Sequence, residues 1–319
     1  MKKFIGFIAF ILILSFFSSV LFGCNVAVNK PNDKIKVVCT LFPQYDFVRR
    51  IAEDKADVIL LVSPGSDVHS LDPTSQQIIN VSDADLFIRI DEEFETWSDT
   101  LIESSENKKL NVFNLADELR IKLKEHDHNN ETDHGGDDGE YTEVHDFHIW
   151  TSLDYAKKMV KAISSELCRI DSANKSFYEQ NTAAYTEELN ALDSKFTDVC
   201  SNSKRNSIVF AGRFALSNFA DEYNLRYSAL FESCTEDSNP DARKVAEIIS
   251  TVKDEKIPVI FCEELGGNSD TAQSISDETG AEIAVFYSCH NLSKDDFDNG
   301  ETYLSLMQRN LESLKKALG

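Results

Sequence analysis

The stretch KIKVVCTLFPQYDFVRRIAEDKADVILLV, residues 34–62, decides the fold. Its two ends are short runs rich in Val, Ile and Leu, and PQYDFVRRIAED between them carries apolar residues at helical spacing. Strand, helix, strand within so few residues is a βαβ unit, which implies parallel strands covered by helices. Outward from it the alternation continues. DLFIRI (85–90) and KLNVFNL (109–115) are strand-like, while PTSQQIINVSDA (73–84) and EEFETWSDTLIESSE (92–106) are helix-like. It resumes with SIVFAG (207–212), RYSALFE (226–232), PVIFCEE (258–264) and AEIAVFYS (281–288), again interleaved with helical segments. The expected fold is α/β, with two lobes that each hold a mostly parallel four-stranded sheet flanked by helices.

From Ser152 to Lys204 the chain has neither Pro nor Gly. Such a run predicts a long rigid linking helix between the lobes, with a break near Asp171 where RIDSANK reads as a cap. The expected organisation is an N-terminal lobe over 34–150, a helical linking segment over 151–204 and a C-terminal lobe over 205–319.

The first 24 residues say where the protein works. Lys2 and Lys3 precede an apolar run from Phe4 to Phe22 that stops at Gly23-Cys24. That is the layout of an export signal, residues 1–23, and Leu21-Phe22-Gly23-Cys24 resembles a lipobox with Cys24 as the lipidated residue. An uncleaved membrane anchor is the alternative. Residues 24–33 read as a polar tether. A formal charge of −23 argues against nucleic acid as a partner and suits cations. The other cysteines, Cys39, Cys168, Cys200, Cys234, Cys262 and Cys289, form no CxxC pair, so a zinc knuckle is not expected. Cys234 and Cys289 both follow late strands, which leaves a disulfide, a thiolate ligand or two buried thiols open.

Five of the seven histidines lie between Glu125 and Trp150, among nine carboxylates and no Lys or Arg. The loop 124–146 has glycines and too much charge to be buried. In parallel α/β sheets, ligands bind beyond the carboxyl ends of the strands. Three histidines fall at such places: His69 in SPGSDVHSLDPT, His148 in VHDFHIWTSLD just before the long helix, and His290 in SCHNLS. Two facing lobes would bring them together, and three imidazole nitrogens with one oxygen fill a tetrahedral zinc site. No HExxH, GxSxG or nucleophile–base pairing accompanies them, so an enzyme is not expected.

These residues resemble a family, the zinc and manganese ABC-transporter substrate-binding lipoproteins. SPGSDVHSLDPT is similar to its PGxxPHxYEPT motif, and HDFHIWTSLDYAKKMVKAI to its DPHxWLDPxNA segment. AGRFALSNFADEYNL resembles HxAFxYFxxxYGL, ETGAEI the TGA turn and HNLS the DSLS segment. The resemblance implies a receptor anchored by lipid outside the cytoplasmic membrane, monomeric, which delivers one divalent metal to a permease and its ATPase. It places His69 and His148 on the first two ligand positions. The third, His or Glu in the family, falls on Arg213, which stays charged and cannot ligate. The fourth, usually Asp, falls on His290, and the family's strand-end Glu falls on Glu264.

The reading is therefore a rearranged site of three imidazoles, His69, His148 and His290, with Glu264 or Arg213 as a fourth or supporting residue. Its expected cargo is Zn2+ rather than Mn2+, which prefers oxygen ligands. The resemblance also implies an auxiliary zinc role for His126, His128, His134 and His145 in the acidic loop. Alternatives are a surface adhesion lipoprotein with a structural metal, and a receptor for Mn2+ or for an anion held by Arg213.

Overall fold

The computed structural model describes residues 34–69, 71–123, 142–144, 146–232, 240–265 and 269–319. Cys24, the expected export segment 1–23, His126, His128, His134, His145 and Cys234 lie outside the described residues, and residues 34–319 cluster as one unit.

Strand β1 (Ile35–Cys39) runs into helix α1 (Phe42–Ala52), and β2 (Ala56–Leu60) follows. Pro43 suits the first turn of α1, where no N–H partner is needed. Gln44 turns back so that its Oε1 accepts from the Leu41 N–H at 2.8 Å. Phe47, Val48 and Ile51 line the buried face of α1. Next come α2 (Ser75–Ser82), β3 (Leu86–Arg89), α3 (Trp97–Ser105), β4 (Asn111–Asn114) and the one-turn α4 (Leu115–Glu118). All four strands pair in parallel in the order β2-β1-β3-β4. Strands β5 (Ile121–Leu123) and β6 (Thr142–Val144) form a separate parallel pair at the two ends of the acidic loop. Each is only three residues long, too short to carry a strand signal in the sequence.

The Gly- and Pro-free run forms two packed helices, α5 (Leu153–Ile170) and α6 (Lys175–Asn202). The break falls at Asp171, whose Oδ2 accepts from Asn174 Nδ2 at 2.7 Å and from the Tyr178 hydroxyl at 2.6 Å. Helix α6, 28 residues and about 42 Å long, is the long link between the lobes. It buries Tyr178, Thr182, Tyr185, Leu189, Leu192 and Phe196, a strict four-three spacing that keeps one stripe inward along its length.

The second lobe runs β7 (Ser207–Arg213), α7 (Ser217–Glu222), β8 (Arg226–Phe231), α8 (Ala242–Glu255), β9 (Val259–Cys262), α9 (Ser269–Thr279) and β10 (Glu282–Val285). Its four parallel strands are ordered β10-β9-β7-β8. The chain ends with α10 (Lys294–Asp298) and α11 (Tyr303–Leu318). Helix α11 packs on its own sheet and also on α6 and α1. One hydrophobic core spans the first sheet, both linking helices and the near face of the second sheet. A smaller core lies under α8 and α9 on the far face.

Buried polar contacts fasten the two halves. Asp46 of α1 accepts from the Tyr303 N–H at 3.0 Å at the start of α11. The Tyr303 hydroxyl donates to the Trp150 carbonyl at 2.5 Å, and Trp150 Nε1 donates to the Ser288 carbonyl at 2.9 Å.

Candidate metal centre

His69, His148 and His290 converge. Their ring centroids lie 5.8 Å (His69–His148), 6.0 Å (His69–His290) and 5.8 Å (His148–His290) apart. A tetrahedral zinc with Zn–N bonds of about 2.0–2.1 Å would draw three such centroids to about 5 Å. The rings are thus open by less than about 1 Å, and no three His, Cys, Asp or Glu side chains among the described residues yet close on one point.

Each ring arrives on a loop with a built reason for its position. His69 follows β2, and its backbone N–H donates to Asp67 Oδ1 at 2.9 Å. Thr74 then starts α2 with a reciprocal capping box to Gln77. His69 Nε2 is buried with no hydrogen-bond partner among the described residues. A buried imidazole nitrogen left so is costly unless something binds it.

His148 is 1% exposed and is held by Asp146. Asp146 Oδ1 accepts from the His148 backbone N–H at 2.7 Å and lies 3.1 Å from Nδ1. The Ser217 hydroxyl donates to Asp146 Oδ2, and Asn218 Nδ2 donates to the Asp146 carbonyl at 3.0 Å. Burial pushes this carboxyl up, but hydrogen bonds from His148 and Ser217 outweigh it and hold it below the usual range. With Nδ1 facing a carboxylate, Nε2 is the nitrogen that would ligate.

His290 follows β10 in a turn where Cys289 takes φ +61°, a left-handed conformation that non-glycine residues avoid. Asn291 Nδ2 crosses to the loop of His69, donating to the carbonyls of Ser63 (3.0 Å) and Ser66 (2.7 Å). The Gly65 N–H returns a bond of 2.8 Å to the Leu292 carbonyl. The two ligand loops are therefore stitched together across the lobes. Burial first, then the charges of His148, His69 and Arg213, hold His290 well below the ordinary imidazole pKa. It stays neutral, the form in which an imidazole can bind a metal.

Glu264, expected as a fourth or supporting residue, stands behind His290. Its carboxylate accepts from the Ser288 N–H (3.0 Å), the Cys289 N–H (3.1 Å) and the Ser288 hydroxyl (2.7 Å). Ser288 Oγ in turn contacts His290 Nδ1. Arg213 ends β7, with its backbone N–H on Glu263 Oε1 at 2.6 Å. It lines, with Asp67, Glu263, His69 and His290, a cavity of about 310 Å³ beside the imidazoles. Phe94, from the EEFETW segment, closes another side, edge-on to His69 (5.3 Å between centroids) and to His148 (5.0 Å).

By sequence Asp146 falls in the acidic loop 124–146, whereas in the fold it packs against His148, Ser217 and Asn218. A signal was available: an oxygen-bearing residue stands two before each histidine, Asp67-x-His69, Asp146-x-His148 and Ser288-x-His290. Cys289 is a free, fully buried thiol whose burial pushes its pKa well up. Cys234, with which the sequence leaves a disulfide open, lies outside the described residues.

Two parallel α/β lobes bridged by a long helix thus bring three imidazoles together at loops beyond their strand ends. The chain belongs to the ZnuA family, "Zinc-uptake complex component A periplasmic", whose model matches residues 37–317. It is 31% identical over 286 residues to the high-affinity zinc uptake system protein ZnuA of Bacillus subtilis, covering 90% of this chain and 88% of that one. It is also 31% identical over 283 residues to the zinc-binding lipoprotein AdcA of Streptococcus pneumoniae, covering 89% of this chain and 56% of the relative's length. The chain thus spans little more than half of that longer protein. Among solved structures, the Zn(II)-bound ZnuA-like domain of Streptococcus pneumoniae AdcA superposes with TM-score 0.71 at 29% identity, over 90% of this chain and 99% of that one. The Bacillus subtilis metal-dependent lipoprotein YcdH gives TM-score 0.73 at 28% identity, over 89% and 99%.

Proposed function

We propose that the protein captures Zn2+ reversibly at His69, His148 and His290 and hands it to the permease and ATPase of an ABC importer. The observation that carries this reading is the convergence of three imidazoles from loops of both lobes, one with a buried, unpartnered Nε2. Neutral nitrogens suit zinc better than manganese. With Glu264 committed to Ser288 and Cys289, the fourth position falls to water or to another carboxylate at the cavity. Arg213 would favour an anion there, but Asp67, Glu263 and Glu264 border the same cavity, and the acids outnumber the one base. A cation is the better match.

Capture rather than catalysis fits the same details. Glu264, the candidate base, is spent on three hydrogen bonds to Ser288 and Cys289 in the turn after β10. Cys24 as lipid anchor, His126, His128, His134 and His145 as a weak zinc-gathering loop, and a monomeric extracytoplasmic receptor complete the reading. None of the helices among the described residues is long and apolar enough to cross a membrane.

The test is calorimetry on the chelator-stripped protein, titrated with zinc and with manganese. One tight zinc event, much weaker manganese binding and loss of the tight event in His69→Ala are expected. Equal affinity for the two metals, or a tight event that survives His69→Ala, would remove the assignment.

A further inference from the structure

We propose that Ser288, backed by Glu264, is a positioning residue that selects which nitrogen of His290 meets the metal. The inference deepens the zinc reading above and rests on it for its affinity consequence only. A serine hydroxyl carries one proton and two lone pairs, so it can donate once. Ser288 Oγ lies 2.7 Å from Glu264 Oε1 and in hydrogen-bond contact with His290 Nδ1. Backbone N–H groups of Ser288 and Cys289 already converge on both Glu264 oxygens. Those N–H groups and the hydroxyl favour the carboxylate form against the burial that raises the Glu264 pKa, so the Ser288 proton goes to Glu264. The hydroxyl oxygen then has only lone pairs to offer on its other side, and His290 Nδ1 must carry the proton. The lone pair of neutral His290 is left on Nε2.

The relay is held in place from three directions. Trp150 Nε1 donates to the Ser288 carbonyl, Glu264 fixes the left-handed turn at Cys289, and Asn291 anchors the far side of His290 to the loop of His69. At His148 a carboxylate reaches Nδ1 directly, from two residues away. At His290 the carboxylate lies at the end of another strand, and a hydroxyl spans the gap. Both arrangements leave the same nitrogen for the metal, as does His69 with its unpartnered Nε2.

The experiment reads the tautomer without metal and the affinity with it. Long-range 1H–15N spectra of the metal-free, histidine-labelled protein, above the imidazole titration range, report which nitrogen is protonated, with His290 assigned by its absence in His290→Gln. The wild type should show His290 protonated at Nδ1. Ser288→Ala should lose that single tautomer and bind zinc about 10–100-fold more weakly. Ser288→Thr, which keeps the hydroxyl, should restore both. A wild-type His290 protonated at Nε2, or a Ser288→Ala protein with wild-type zinc affinity, would overturn the proposal. An Nδ1-protonated His290 in a protein without tight zinc binding would support the relay and remove the zinc reading beneath it.

Discussion

At the scale of single residues, His148 and His290 each meet at Nδ1 an oxygen from two positions earlier, while at His69 Asp67 takes the backbone N–H. Asp146 does most, because it grips His148 at both the backbone N–H and Nδ1 while Ser217 and Asn218 of the opposite lobe grip Asp146. Partners of this kind fix the tautomer and the ring plane, and losing one typically costs 10–100-fold in metal affinity. Asp146→Ala is therefore expected to weaken zinc binding by about that factor, measured by competition with a chromophoric chelator. Asp146→Asn, which keeps an acceptor but not the charge, should fall between. Unchanged affinity in Asp146→Ala would leave the carboxylate with a purely structural role. The three histidines were legible in the sequence because metal chemistry limits the residue types and strand ends limit the places. Asp146 was not, since one more acid beside an acidic loop carries no contrast. Nor was the bond of Glu264 to Ser288, because those residues lie 24 apart and only the sheet brings them together.

At the scale of elements, the strands were readable because each is a short apolar run, and the break between α5 and α6 because Asp171 caps it. The small β5–β6 pair was not, and the fastening of α11 to α1 was invisible for another reason. It depends on Asp46, a buried acid inside an otherwise ordinary amphipathic helix. Burial raises the Asp46 pKa to about 6 from 3.8, although the Tyr303 N–H, Arg50 and Arg49 pull the other way. Across that window the native state keeps a proton that the unfolded chain has released. Stability from this group is present below the unfolded value and is lost as pH rises through about 6. A shift of this size corresponds to at most about 3 kcal/mol. Urea unfolding of Asp46→Asn and wild type from pH 4 to 7 should show the variant gaining on the wild type by up to about that amount. A difference flat with pH would mean that Asp46 is ionised throughout.

At the scale of the whole molecule, two sheets, one long helix and a shared core hold two loop systems face to face, and the loops themselves are cross-bonded. The ring centroids stand about 1 Å wider apart than a tetrahedral zinc would hold them. The two-lobed plan could be read from alternation along the chain. The closeness of the three rings could not, because it depends on contacts between residues more than two hundred positions apart, such as Asn291 with Ser63. The central claim is that zinc sits on three imidazoles of the structured centre and not on the acidic loop. The most direct measurement is zinc K-edge X-ray absorption at one equivalent of metal, on the full chain and on a variant lacking residues 125–141. The account predicts three imidazoles and one further oxygen or nitrogen at about 2.0–2.1 Å in both proteins. A sulfur at about 2.3 Å, or a spectrum that loses its imidazoles when the loop is removed, would contradict it.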